Sequence, residues 1–167
     1  MKKLYVKPLR DSSKFPIKAT DYAACFDVFA NLSGPEKVKT FDAYNKSVTQ
    51  GTFDEPIRLY SGDRVLVPTG LIVTCDIGYC IKAYARSGLA IKNGLTLINC
   101  VGIIDADYRK ELFIPIVNTS MVTQTIEQGD RIAQIMVEKL DDTVIIADNL
   151  PPIESNRNGG FGHTGIK

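Results

Sequence analysis

Short β-branched runs recur along this chain, each closed by a turn signal, and that spacing constrains its fold more than any other feature. Leu4-Tyr5-Val6 opens the series. Arg64–Pro68 and Leu71–Cys75 flank a turn at Pro68-Thr69-Gly70, and Tyr79–Tyr84 follows Asp76-Ile77-Gly78. Residues 96–104 and 111–117 come next, separated by the polar turn Asp107-Tyr108-Arg109-Lys110. Residues 131–137 follow Gln128-Gly129-Asp130, and residues 143–147 end the series. The pattern predicts an all-β fold, a sandwich or barrel. With 167 residues the chain is long enough for one domain with its own core.

Two stretches break the rhythm. Ser87-Gly88-Leu89-Ala90-Ile91-Lys92-Asn93-Gly94 has Ser at an N-cap position and Gly at C′, which predicts one short helix. Residues 31–56 are polar and bracketed by Gly and Pro, which predicts a surface insertion in the form of a loose hairpin. Beyond Leu150 the sequence turns Pro-rich and then Gly-rich. The expected division is a domain over residues 1–150 and a mobile C-terminal arm over 151–167.

Charge and cysteine usage narrow the function. Twenty Lys and Arg against nineteen Asp and Glu leave a net charge of +1, so no global field holds a nucleic-acid backbone. Direct nucleic-acid binding is not expected, and phosphates must be held in a local site. Met1–Pro8 opens with Lys2 and Lys3 and has no apolar run behind them, and no stretch reaches the ~20 apolar residues of a membrane span. Cys25, Cys75, Cys80 and Cys100 form no CxxC pair. They read as reduced, mostly buried thiols, and the expected compartment is the cytoplasm, or the host cytoplasm for a viral chain.

Five clusters carry chemistry. Asn99-Cys100-Val101-Gly102-Ile103-Ile104-Asp105-Ala106-Asp107-Tyr108 ends an apolar strand in two acids and a phenol. On an extended strand Asp105 and Asp107 share a face; the plainer reading is an Asp-rich turn. Arg86-Ser87-Gly88 offers a guanidinium fork, a hydroxyl and an approachable backbone N–H for an anion; the plainer reading is a helix cap. Gly129-Asp130-Arg131-Ile132-Ala133-Gln134 leads a turn into a buried strand, with the Gln134 amide available to a phosphate. Arg157-Asn158-Gly159-Gly160-Phe161-Gly162-His163-Thr164-Gly165 combines open backbone with a ring for base stacking; the plainer reading is an ordinary disordered terminus. Asp27, inside an apolar run, needs a cation, hydrogen bonds or a metal.

In order and in content these clusters resemble the five motifs of the trimeric dUTPase family, from Ala19 to Gly165. The resemblance implies an all-β, jelly-roll-like β-sandwich or barrel with one short helix, and hydrolysis of dUTP to dUMP and pyrophosphate with Mg²⁺. That reaction limits uracil incorporation into DNA and supplies dUMP for dTMP synthesis. By resemblance Asp105 is the general base for the attacking water, and Asp27 holds Mg²⁺ through water. Arg86, Ser87, Gly88 and Gln134 serve the phosphates. Asn99, Gly102, Ile103 and Ile104 read uracil through a bent strand, Tyr108 packs on the deoxyribose, and backbone near Phe113 lines the far side. Arg157, Phe161 and Gly162 close over the nucleotide. A homotrimer with shared sites is implied.

The chain departs from the family pattern at four places. Asn156 stands where the tail arginine is usual, with Arg157 one residue later. Ala85 replaces a common Pro, Cys25 replaces a common Gly, and the interval from Asp27 to Arg86 is long. The related dCTP deaminases share the second and third motifs, but Tyr108 and the Gly-Gly-Phe-Gly tail favour dUTPase. A silent nucleotide-binding trimer would have lost the acids.

Overall fold

Thirteen strands and one helix make up a computed structural model that describes residues 2–33, 37–51, 55–141 and 143–147. The strands are β1 (Leu4–Pro8), β2 (Phe26–Phe29), β3 (Lys37–Phe41), β4 (Ser47–Gly51), β5 (Ile57–Leu59), β6 (Arg64–Pro68) and β7 (Leu71–Cys75). After these come β8 (Tyr79–Tyr84), β9 (Leu95–Leu97), β10 (Val101–Ile104), β11 (Phe113–Asn118), β12 (Gln124–Ile126) and β13 (Arg131–Lys139). Helix α1 (Ser87–Asn93) lies between β8 and β9. The fold is all-β with a single short helix, as the spacing predicts.

The strands form a four-stranded sheet in the order β10-β8-β13-β2 and a five-stranded sheet in the order β4-β3-β6-β11-β9. Two ribbons, β1-β7 and β12-β5, complete the fold, and the strand pairs are antiparallel. One apolar cluster joins the sheets. It takes Ile81, Ala83, Ala133 and Ile135 from the first sheet and Val65, Val67, Leu97, Ile114 and Ile116 from the second. The alternation of buried and half-buried residues along β7 and β11 is the period-2 pattern of strands with one face on a core.

Four expectations need correction. The run 96–104 is two strands in different sheets, because the chain turns at residues 98–100 and crosses from β9 to β10. Residues 143–147 form no strand. Val144, Ile145 and Ile146 are 77–96 % exposed, and β-branching without a partner strand or a buried face does not make a strand. Within the 31–56 stretch β3 and β4 pair as a hairpin, but it is not wholly superficial: Leu32, Val38 and Thr40 are buried, and Thr40 pairs with Val65. Ser87 does not cap α1. Arg86 is the N-cap residue with no side-chain cap bond, which leaves the Ser87 hydroxyl exposed. The other end is as expected, with Gly94 left-handed at φ 65° and its N–H on the Ala90 carbonyl.

The turn between β6 and β7 is the tightest point of the fold. Gly70 has φ +70°, and a Cβ there would lie 2.3 Å from Ser13 Oγ and 2.6 Å from Asn31 Nδ2. Its carbonyl accepts from Leu9 N–H and Ser13 Oγ, each at 2.8 Å. Gly70→Ala adds a left-handed penalty and a clash to the same residue, and we expect a loss of at least about 2 kcal/mol. Urea denaturation followed by circular dichroism measures it; an unchanged midpoint would show that the turn is soft.

Candidate active site

The change of sheet between β9 and β10 builds a cleft. The connecting turn is held by Cys100 N–H on the Leu97 carbonyl (3.2 Å), Val101 N–H on the Asn99 carbonyl (2.6 Å) and Ile98 N–H on the Pro115 carbonyl (3.0 Å). Cys100 sits at φ 60°, a conformation that costs a non-glycine residue roughly 1–2 kcal/mol. Such strain persists only where surrounding structure enforces it. Beyond the turn, β10 is an edge strand, so one side of its backbone has no ladder partner among the described residues. Its free N–H and C=O groups are open to a ligand that presents complementary donors and acceptors.

A cleft of about 350 Å³ lies against β10 and β11. Of the residues singled out in the sequence, Asn99, Gly102, Ile103, Ile104, Asp105, Tyr108 and Phe113 line it together. Sequence reasoning missed Leu66, Ala83, Leu112, Ile114 and Pro115. Leu66 pairs with Pro115, and Ala83 pairs with Gly102, so only tertiary pairing brings them to the cleft. At Gly102 a Cβ would meet Ala83 Cβ at 3.2 Å and Asn99 Nδ2 at 3.5 Å. The missing side chain leaves room for the Asn99 amide against the strand.

Asp105 stands one residue past the end of β10, in a turn with a fixed backbone. Tyr108 N–H donates to the Asp105 carbonyl (3.1 Å). Thr74 Oγ1 and an Arg109 guanidinium N–H both donate to the Ala106 carbonyl at 2.7 Å. The Asp105 carboxylate itself is exposed and has no hydrogen-bond or ion-pair partner among the described residues. Because β10 stops at Ile104, Asp105 and Asp107 do not share a strand face. Asp107 borders a neighbouring groove with Ile77, Tyr79 and Leu140, and does not line the cleft. Tyr108 forms one wall, its hydroxyl donating to the Glu111 carbonyl at 2.8 Å.

A second cluster gathers on β2, β13 and the end of β8. Asp27 is buried, and its two oxygens each accept at 3.1 Å, one from Arg86 Nε and the other from an Arg131 guanidinium N–H. Arg86 also donates to the Arg131 carbonyl (3.1 Å). Gln134 lies within β13 rather than at its end; it pairs with both Tyr84 and Asp27, and its amide donates to the Ala85 carbonyl (3.1 Å). Ser87 and Gly88 are exposed just beyond. Among the described residues nothing lies within 4 Å of a Cβ built on Gly88, and its φ is not positive, so none of them requires glycine there. Cys25, beside this cluster, has no positive φ. Burial, and then the Asp27 carboxylate, push its thiol up, which keeps it protonated at neutral pH. Arg157, Phe161 and Gly162 lie outside the described residues.

The two clusters sit at opposite ends of shared strands. The register sets Tyr84 against Val101 and Ile81 against Ile104. Arg86 lies beyond the first pair and Asp105 beyond the second. At ~3.3 Å per residue their separation along the strands is roughly 20 Å, and none of Asp27, Arg86, Ser87, Gly88 and Gln134 lines the cleft.

The expectation that Asp27 serves a metal needs sharpening. No cluster of three or more His, Cys, Asp or Glu able to hold an ion occurs among the described residues, and Asp27 is first an anchor for two arginines. A carboxylate has about four acceptor sites, so Asp27 retains capacity for a metal-bound water. The donor set fits a Mg²⁺ that arrives on phosphates with water between it and the protein. It does not fit an ion caged by side chains.

Comparison with known proteins gives one answer. A family model described as dUTPase matches residues 53–165. The deoxyuridine 5′-triphosphate nucleotidohydrolase of Fusobacterium nucleatum is 38% identical over 168 aligned residues, 99% of each chain. That of Finegoldia magna is 48% identical over 113 residues, 67% of this chain and 78% of its own. Among solved structures, a dUTPase variant of Staphylococcus bacteriophage 80alpha with dUpNHpp superposes with a TM-score of 0.74 at 20% identity, covering 98% of this chain and 99% of that one. A dUTPase variant from phage phi11 of S. aureus, described with a structural Mg(II) ion, gives a TM-score of 0.68 at 20% identity, covering 92% and 99%. Among the described residues no helix is long and apolar enough to cross a membrane.

Asp27→Ala strips the shared anion from Arg86 and Arg131. Arg131 is half-exposed, which moderates the penalty to about 2 kcal/mol. Chemical denaturation of the purified variant measures it, and a loss under a few tenths would mean that the bridge is decorative.

Proposed function

The chain belongs to the dUTPase family, and from that premise we propose that it hydrolyses dUTP to dUMP and pyrophosphate, with Asp105 as general base and with sites shared between copies in a homotrimer. The observation that carries this reading is the unpartnered Asp105 carboxylate beside an edge strand whose backbone is open to a base. Uracil offers a carbonyl–imide–carbonyl edge that backbone N–H and C=O groups can pair with. Cytosine presents an amino donor in place of one acceptor and leaves buried groups unpaired, which is the strong form of discrimination. The Tyr108 ring would pack on the deoxyribose and leave no room for a 2′-hydroxyl.

The reaction forms one bond and breaks one. Asp105 takes a proton from a water held within hydrogen-bond reach. The water oxygen attacks the α-phosphorus, the bridging α–β bond breaks, and pyrophosphate leaves. Ser87, the Gly88 N–H and Gln134 would hold the phosphate oxygens, with Arg86 fixed by Asp27 behind them. Mg²⁺, when bound, offsets phosphate charge in the transition state, and Asp27 would accept from one of its waters. Arg157, Phe161 and Gly162 on an arm over residues 151–167 would cover the nucleotide and exclude water. The metabolic consequences are removal of a source of uracil in DNA and supply of dUMP for dTMP synthesis, in the cytoplasm.

The separation between Asp105 and Arg86 supports assembly. An α-phosphate must lie near both the activated water and the phosphate ligands. With roughly 20 Å between them along the strands of one chain, a neighbouring copy must supply one set.

With Mg²⁺, the purified protein is expected to release pyrophosphate from dUTP and to leave dCTP and dTTP nearly untouched; equal turnover of the three would refute the uracil reading, and ammonia from dCTP would identify a deaminase. Asp105→Asn is expected to abolish turnover while dUTP still binds by calorimetry. An active variant would mean that another group is the base. Gly88→Ala separates ligand from fold: stability should hold or rise by about 0.5–1 kcal/mol, the helix preference for Ala. Its kcat/KM for dUTP should fall at least tenfold, about 1.4 kcal/mol of lost transition-state binding. Full activity would remove the backbone donor from the site.

A further inference from the structure

The Tyr108 wall of the cleft is anchored to a buried charge that no sequence cluster includes. Glu111 is buried, its side chain 8% exposed, and it meets the Arg10 guanidinium through two parallel bonds of 2.8 and 3.0 Å. Its Oε1 also accepts from Gly70 N–H at 2.7 Å. The backbone carbonyl of the same Glu111 accepts the Tyr108 hydroxyl at 2.8 Å. The next residue, Leu112, lines the cleft, and its N–H donates to the Leu71 carbonyl at 2.7 Å. Three distant segments therefore converge on Glu111: the N-terminal segment, the β6–β7 turn, and the entry to β11.

We propose that Arg10 is a positioning residue for sugar selection, acting through Glu111 to hold Tyr108 against the cleft; this rests on the reading of the cleft as a deoxynucleotide site. The forked pair fixes both position and rotation of the carboxylate. Fixing the side chain from two sides, Arg10 and Gly70, fixes the backbone carbonyl that Tyr108 uses. The ring stands at the rim of an open cleft, so its anchor supplies what neighbours do not. A displacement near 1 Å at such a wall costs up to about 100-fold in a well-ordered site. Arg10 touches neither water nor phosphate in this scheme, so its loss acts on binding and discrimination and not on the proton transfer.

Two variants test this without stranding a buried charge. Arg10→Lys keeps the charge and loses the fork. Arg10→Met with Glu111→Gln removes both charges and keeps an acceptor for Gly70 N–H. In both we expect KM for dUTP to rise and the preference for dUTP over UTP to fall, each on the order of tenfold, with kcat within about twofold of the parent. The lysine variant should be the milder. A merely structural role would lower the unfolding midpoint and leave both ratios intact in the folded protein, and that result overturns the proposal. Amide exchange at Tyr108 and Leu112 reads the coupling without substrate. It should speed up in both variants while the β3–β4 hairpin stays unchanged; unaltered exchange also overturns the proposal. A parent chain inert toward dUTP would refute the functional reading instead, with exchange still deciding whether Arg10 controls Tyr108.

Discussion

The register of β8 against its two neighbours is the constraint on which the rest of this structure depends. β8 is laddered on both sides, to β10 and to β13. One row across the sheet runs Gly102, Ala83, Ile135 and Phe26, and the next runs Val101, Tyr84, Gln134 and Asp27. The first row faces the core, where Ala83 and Ile135 are buried. The second lies on the opposite face and carries the polar groups, Gln134 half-buried and Asp27 buried under two arginines. A slip of one residue would exchange the two faces, burying Gln134 and exposing Ile135. The hydrophobic requirement that Ile81, Ala83 and Ile135 face inward therefore also delivers Gln134 and Asp27 to the same face of the sheet.

Charge is distributed along the same division. Two of the buried acids are held by cations: Asp27 by two arginines, Glu111 by Arg10 together with a backbone N–H. These groups hold geometry, since removing one partner would leave an uncompensated charge in low dielectric. Asp105 is the contrary case. Its carbonyl accepts from Tyr108 N–H and the next carbonyl, of Ala106, from Thr74 and Arg109, yet its carboxylate is left to solvent. A base needs a free lone pair and a defined position, and this turn provides both.

Much of the fold is local enough to be legible. Arg64–Pro68, Leu71–Cys75 and Tyr79–Tyr84 occur with the boundaries their alternation predicts, because each has one buried face and a turn signal at its end. The break inside 96–104 was hidden because its pivot, Cys100, is not a residue that announces a left-handed turn. Residues 143–147 misled in the opposite way: Val-Ile-Ile is strand-like by composition, but its neighbours in space are what would make it one. In the site, residues contiguous in sequence, from Asn99 to Tyr108, were legible together. Leu66, Ala83 and Pro115 were not, because they enter the cleft by pairing across strands. Asp27 was read for its charge, and the partners that give the charge its role lie on β13 and beyond β8. Arg10 carried no local signal at all, since its importance comes from Glu111, far along the chain.

The proposed division of labour follows from the same geometry. A base-reading edge strand must be short of one partner, so it must stand at the margin of its sheet; β10 does. Phosphate ligands need the opposite support, rigid strands with buried counter-charges behind them; β13, between β8 and β2, has it. In the proposed homotrimer the margin of one copy would face the interior of another, and the two demands would be met at one shared site.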